Sequence, residues 1–476
     1  MTDSIQTTTE NDSIIVCENS QGTPVRGTLL RMTRYSVSFE VYNPYSILQL
    51  SEVLSNYRIM VSGKILYSGR AIVSNMVNTG IVLVCEAILD EENWLEIDFL
   101  SPAGQVERLA DDFQRLLGEW EKVEQITPKL KVIVSDMQTL LSDMRRWLEQ
   151  VELAVRSSPP PDRTKIEISI IEKLNALIMP VTQDLFERFE VIAGGVKDEV
   201  VAVHRAYARR QLHPLIQCSP ILHRTYHKPL GYAGDYEMVN MILRNPIEGA
   251  SLFAKMLNCH FAGLPTAEAH RNRVKYLSAL LSQETRRRAK QGLGTRIFNL
   301  GCGPAMEVQR FLAYDDISDR ADLALLDFND ETLQQTERIL TDIKMKHSRT
   351  TRLHLIKRSV HQILKEGARI GETDTGTQYD LVYCAGLFDY LSDRICARLL
   401  EIFYEMLAPG GTLVATNVEA SNPNRMIMEY LMDWHLIYRD AAQFESLIPQ
   451  SAAGAETHVQ ADETGFNIFL EIKKPR

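Results

Sequence analysis

The chain has 476 residues, too many for one ordinary domain, so two or three are expected. Apolar residues make up 45% and charged residues 24%, a globular composition that excludes extended disorder. With 52 basic against 62 acidic residues the net charge is −10, which argues against a nucleic-acid partner held mainly through phosphates while leaving room for a local basic patch.

Residues 1–12 are polar and read as a disordered tail. They carry no basic region and no apolar core, so they do not read as a secretory signal, and a cytoplasmic location is expected. The longest charge-free stretch, Ala71 to Cys85, has 15 residues and is interrupted by Asn, Ser, Thr and Gly, which predicts no membrane span. Seven scattered cysteines form no CxxC pair. They read as reduced thiols rather than a disulfide frame or zinc site, and no metal is expected.

Residues 13–100 read as short strands separated by turn residues. The runs are Ser13–Cys17, Gly27–Arg31, Tyr35–Val41, Arg58–Ser62, Ile65–Tyr67, Arg70–Ser74 and Gly80–Cys85. Tyr35, Val37, Phe39 and Val41 alternate onto one face, and the set predicts a small antiparallel β-barrel. Over residues 101–156 the period turns helical, with Leu109, Phe113, Leu116, Leu117 and Trp120 on one stripe and Leu140, Met144, Trp147, Leu148 and Val151 on another. Pro128 separates the two, giving an αα-hairpin that packs on a domain or on a second copy as a homodimer. Residues 157–164, with Ser157-Ser-Pro-Pro-Pro-Asp162, read as a proline-rich linker. Residues 165–291 read as a helical cap or lid region, broken at Pro180, Pro214, Pro220, Pro229 and Pro265. Residues 292–476 alternate strands and helices, which predicts an α/β, Rossmann-like, mostly parallel sheet with helices on both faces.

The chemistry concentrates in that last region. Thr295-Arg-Ile-Phe-Asn-Leu-Gly-Cys-Gly-Pro304 reads as a buried strand and a glycine turn, where Gly301 and Gly303 let the backbone approach a ligand. Leu323-Ala-Leu-Leu-Asp327 is the next strand, and Asp327 ends it, 24 residues after Gly303. An acid there accepts hydrogen bonds from ribose hydroxyls, or alternatively caps the following helix. Leu353–Ile356, Tyr379–Cys384, Thr412–Thr416 and Phe466–Ile472 complete the strands. A nicotinamide site would want a third glycine where Met306 stands.

NLGCGP, LLDFN, YDLVYCAGLFDYL and LAPGGTLVATN, in this order, resemble class I S-adenosylmethionine-dependent methyltransferases from Arg296 to Ile472. The resemblance implies S-adenosyl-L-methionine as cofactor. It implies Asn299, Gly301 and Gly303 at its methionine part, Asp327 at the ribose, Phe328 at the adenine, Ser359 and Val360 by the adenine amine, and Cys384, Ala385 and Gly386 beneath the methyl. Asn299 stands where many members carry an acid. Cys384 reads as a small buried side chain rather than a nucleophile.

His223-Arg-Thr-Tyr-His-Lys-Pro-Leu-Gly-Tyr-Ala-Gly-Asp-Tyr-Glu237, with AGLFDYL, resembles the bacterial 3-hydroxy fatty acid methyl ester synthase branch, which makes 3-hydroxypalmitic acid methyl ester. This implies a signalling ester as product and a lid of Tyr226, His227, Gly231, Tyr232, Gly234 and Asp235 over cofactor and acceptor. After the fifth strand, Asn417, Asn422, Arg425, Trp434, His435, Tyr438 and Arg439 are candidates for the acceptor pocket. Arg425 or Arg439 suits a carboxylate and His435 a base for a hydroxyl, though each also reads as an ordinary surface or packed residue. Arg286-Arg-Arg-Ala-Lys290 reads as a solvated helix end.

Residues 13–100 resemble the PilZ domain, which in many bacteria binds cyclic di-GMP. Arg26, Arg31 and Arg34 have the wrong spacing for its RxxxR element, and only Ser38 fits its second motif, so cyclic di-GMP is not expected as a partner. The leading reading is a methyltransferase acting on a small carboxylate or hydroxy fatty acid. A cofactor- or nucleotide-sensing interaction module and a protein methyltransferase are the alternatives.

Overall fold

The computed structural model describes residues 13–41, 48–61, 64–78, 83–90, 93–94, 114, 126–244, 246–367 and 378–476. Six antiparallel strands close a barrel: β1 (Ser13–Glu18), β2 (Pro24–Met32), β3 (Ser36–Val41), β4 (Val53–Val61), β5 (Lys64–Asn78) and β6 (Leu83–Leu89), in the order β1-β2-β3-β6-β5-β4. Val37, Phe39 and Val41 point inward, as alternation requires. The interior is filled by side chains, with Tyr57 and Tyr67 edge to face at 6.2 Å. The two runs Ile65–Tyr67 and Arg70–Ser74 are one strand, β5. Gly69 lies within it because the Asn93 side chain packs against its backbone, where a Cβ would sit 2.6 Å from the Asn93 amide nitrogen.

The helical layer comprises α1 (Pro128–Arg156), α2 (Pro160–Gly194), α3 (Asp198–Ile216), α4 (Pro220–His227), α5 (Tyr236–Leu243), α6 (Leu252–Ala262) and α7 (Pro265–Ala289). The expected helix before Pro128, apart from residue 114, lies outside the described residues. The described partner of α1 is α2, and Pro160 opens α2 in its first turn, where a missing N–H costs nothing. The proline run is therefore a helix start, and the expected eight-residue linker shrinks to the turn Ser157–Pro159. Pro180 and Pro214 sit inside α2 and α3 instead of breaking them. The stripe of α1 that faces the core is Leu130, Ile133, Val134, Met137, Leu141, Leu148 and Val155, and it packs within the chain against α2, α3 and α6. Trp147, expected on this stripe, is 52% exposed.

The C-terminal region is a seven-stranded sheet in the order β12-β13-β11-β10-β7-β8-β9. Its strands are β7 (Thr295–Leu300), β8 (Ala321–Asp327), β9 (Arg352–Lys357), β10 (Tyr379–Cys384), β11 (Leu407–Val418), β12 (Glu456–Ala461) and β13 (Asn467–Lys473). Strands β9, β8, β7, β10 and β11 run parallel, and β13 lies antiparallel between β11 and β12. The helices α8 (Met306–Tyr314), α9 (Asp330–His347), α10 (Val360–Glu366) and α11 (Asp393–Met406) connect them, and α12 (Arg425–Leu431) and α13 (Ala441–Glu445) follow β11. This is the expected α/β, mostly parallel sheet, with an antiparallel β12–β13 edge. Pro409-Gly-Gly411 does not precede the fifth strand but lies within β11, at a shift of register against β10. Strand order reverses between β7 and β10, so a crevice opens at their carboxyl ends.

The barrel rests on the other two regions through polar contacts. Val53 N donates to Gly231 O at 2.6 Å. Ser51 Oγ donates to His435 O at 2.9 Å and accepts from His435 N. Arg70 donates to His227 O at 3.1 Å. Among the described residues no helix is long and apolar enough to cross a membrane.

Candidate active site

A cavity of about 220 Å³ lies at the carboxyl ends of β7, β8 and β10, walled on the far side by α5 and α7. Its near wall is the glycine turn. Gly301 has φ +71°, a left-handed conformation that a side chain would strain. Gly301 N and Cys302 N both donate to Leu326 O, at 2.8 and 2.9 Å, which pins the turn to β8. Around Gly303 an added Cβ would meet nothing within 4 Å, so the backbone faces open space.

Asp327 ends β8 and is buried beside this turn. It accepts Gly303 N at 3.1 Å and Asn329 N at 3.0 Å. Burial pushes its pKa up, while the backbone donors oppose that. The cap of α9 is Asn329, which accepts from Thr332 N, so Asp327 is not spent on capping. Asn299 is buried at the end of β7; its amide donates to Glu307 at 3.3 Å, and its Oδ1 has no partner among the described residues. Glu307 also accepts the Tyr383 hydroxyl at 2.8 Å, and burial raises its pKa.

Opposite stands Arg273 of α7. Its guanidinium donates to the His270 ring at 2.9 Å and has no carboxylate ion-pair partner among the described residues. Burial and the adjacent Arg273 drive the His270 pKa far down, so the imidazole is neutral and accepts. Gly386 has φ +85°, which favours glycine, and a Cβ there would lie 2.9 Å from Arg273 Nη1 and push the guanidinium aside. Asp389 is buried nearby and accepts Val418 N at 2.7 Å; desolvation lifts its pKa to about 6 against the pull of Arg273. Away from these polar groups the lining turns apolar, with Ile221, Val239, Phe261, Leu264, Met428 and Met432.

Of the residues expected at the cofactor, Asn299, Gly301, Gly303, Asp327, Phe328, Val360, Ala385 and Gly386 line this cavity. Ser359 does not: it caps α10 in a reciprocal bond with Gln362. Cys384 also lies off the cavity, fully buried in β10, and burial holds its thiol protonated.

The expected lid divides. Tyr232 and Gly234 line the cavity, and the Tyr232 ring meets Phe328 at 5.1 Å. Tyr226 and His227 instead line a second, larger cleft beside the barrel. Asp235 is structural: it caps α5 and holds Arg224 through both oxygens. Beyond β11, Asn422 and Trp434 line the cavity, and Trp434 donates to the Tyr390 hydroxyl at 2.8 Å. His435 and Arg425 line the cleft instead, with Arg425 paired to Glu429. Arg439 is 2% exposed and bound to Asp393, Asn417 and the carbonyls of Phe388 and Leu391. It is a strut with no free edge for a carboxylate, and its Asn417 contact occupies that candidate too. Arg273, His270 and Glu307 carried no sequence signal; Asp389 stood within AGLFDYL without a role.

No protein-family model and no curated protein matches the chain. Similar solved structures include a possible exported protein from Bordetella parapertussis, 18% identical, covering 64% of this chain and 97% of that one, TM-score 0.41. Magnesium protoporphyrin IX methyltransferase from Synechocystis PCC 6803 with bound SAH is 10% identical, covering 44% and 84%, TM-score 0.31. The N-methyltransferase NodS from Bradyrhizobium japonicum WM9 with S-adenosyl-L-homocysteine is 14% identical, covering 51% and 98%, TM-score 0.30. At such scores these are distant likenesses.

Proposed function

We propose that the chain is an S-adenosyl-L-methionine-dependent methyltransferase that forms the methyl ester of a small carboxylate or hydroxy fatty acid. The observation that carries this reading is Asp327, buried beside a pinned glycine turn and uncommitted to a helix cap, in a cavity that is polar at the sheet and apolar beyond it. The residues fit the cofactor. Asp327 would accept from the ribose hydroxyls, Phe328 and Val360 would flank the adenine, and the orphaned Asn299 Oδ1 would accept from the ammonium group. S-adenosyl-L-methionine supplies a methyl group on a cationic sulfur.

The chain's own part is alignment and exclusion of water. A carboxylate acceptor is already a nucleophile and needs no general base. Arg273, without a carboxylate partner among the described residues, would grip a carboxylate, and the His270 ring holds its guanidinium in place. Tyr232, Trp434 and the apolar wall would cover the reacting atoms and take an acyl chain. The location we propose is cytoplasmic, and the barrel is proposed as a regulatory unit that does not take cyclic di-GMP.

The test is turnover with methyl-labelled cofactor and a chain-length series of 3-hydroxy fatty acids, with ester product read by mass spectrometry. The reading predicts a methyl ester that increases with chain length up to the capacity of the wall. Tight cofactor binding with no product from carboxylate, hydroxyl, amine or protein acceptors would replace it with the cofactor-sensing alternative.

A further inference from the structure

A second hollow, larger than the cavity at the sheet, lies beside the barrel. A cleft of about 1370 Å³ opens between the outside of the barrel, α3, α4 and residues 425–437. Its wall holds two buried polar side chains with unused atoms. Arg205 of α3 is 7% exposed, its Nε has no partner, and no ion pair holds it among the described residues. His435 is 5% exposed, and its Nε2 is unpartnered, 3.9 Å from Asp433 and too far for a hydrogen bond.

The charges around them do not balance. Arg209 is paired with Asp433, Arg70 with Asp90 and Arg425 with Glu429, so each neighbouring carboxylate already has a cation of its own. Arg205 has the Tyr430 ring 5.7 Å away and no ion pair of its own among the described residues, while Asp433 and Glu429 act on it from a distance; Lys228 donates to the carbonyl of Met432 at 3.0 Å. Burial, helped by Arg209 and Arg70 and opposed by Asp433, pulls the Lys228 pKa down to about 7. A buried guanidinium without an ion-pair partner is costly to keep, and the missing charge is negative. The rim carries Glu86, Asp198 and Glu199, so recognition is local to the floor and not a broad positive field.

We infer that this cleft is a second binding site, for a small organic oxyanion whose phosphate or carboxylate group meets the Arg205 fork and the His435 ring. The planar guanidinium donates to either group in two-pronged geometry. The site is separate from the cofactor cavity, yet the same two segments wall both: Tyr226 and His227 against Tyr232 and Gly234, and His435 against Trp434, with Leu436 lining each. The inference does not depend on methyl transfer.

The experiment is calorimetry of the full chain at low ionic strength, with sodium pyrophosphate and sodium citrate as probes. Saturable one-to-one binding of at least one is expected, and the stronger of the two identifies phosphate or carboxylate as the natural group. Arg205→Met should weaken that binding about tenfold or more. In the wild-type chain, the bound anion should slow amide exchange in residues 205–213 and 226–228, a readout that does not need the variant to fold. Absence of saturable heat from both probes would overturn the inference. So would wild-type affinity in a folded Arg205→Met protein, or protection confined to the glycine turn at 299–303.

Discussion

The sheet and the barrel present strands to a ligand in opposite ways. The sheet is open, its strand order reverses between β7 and β10, and topology alone leaves a crevice at that point. The barrel is closed, and among the described residues Phe39, Tyr57 and Tyr67 fill its interior. Whatever the barrel contributes must come from its outer surface, where docking onto α3 and α4 creates a cleft. One site follows from a fold, the other from an interface. The first shows in a sequence motif and the second in none.

The strongest way to break this comparison is at the sheet. Asp327→Ala should remove two hydrogen bonds to the ribose, about 3 kcal/mol or roughly two orders of magnitude in Kd for S-adenosylhomocysteine by calorimetry. Thermal unfolding checks that the chain still folds; unchanged affinity would count against the site. Arg273→Met comes next, with a loss of about ten- to a hundredfold. If the loss appears in cofactor Kd, Arg273 holds the cofactor's carboxylate; if in acceptor KM, it holds the acceptor's. No change in either would contradict its place in the site.

A titration sharpens the electrostatic side. The Asp389 pKa is raised to about 6 in the fold, above its usual value near 3.8. A raised carboxylate contributes stability that is full below the unfolded pKa and lost as pH rises through the folded one. Asp389→Asn should therefore gain stability relative to wild type between pH 4 and pH 7, by about 2–3 kcal/mol at the upper end. Denaturant melts at several pH values read this out; a difference that is flat with pH would contradict the assignment. The smallest effect belongs to the barrel. Ser51→Ala removes both bonds to the His435 backbone and should cost about 1–2 kcal/mol in thermal unfolding, with cofactor affinity unchanged.

The sheet was legible because its signals are local. NLGCGP encodes a strand and a turn that needs glycine at positive φ, and LLD encodes a buried strand ending in an acid. β12 was not, because Glu456-Thr-His-Val-Gln-Ala461 is a polar edge strand with no apolar alternation. Pro180 and Pro214 mislead for a different reason: helix-breaking is a local tendency, and burial of Phe186, Phe189 and Leu212 in the shared core outweighs it. The candidate site was half legible. Asp235 looks like a catalytic acid in sequence, but three-dimensional pairing with Arg224 gives it a structural task. Arg273 looks like any helix arginine; only the approach of Gly386, 113 positions away, gives it meaning.

The central claim is that the glycine turn and Asp327 form a cofactor site in this chain. Calorimetric titration of the wild-type protein with S-adenosylmethionine and S-adenosylhomocysteine tests it directly. Saturable binding of both at micromolar concentration, one molecule per chain, is expected. A folded protein that gives no saturable heat with either would contradict it. In that case Asn299, standing where the resembled family often has an acid, would mark a site that has lost its ligand.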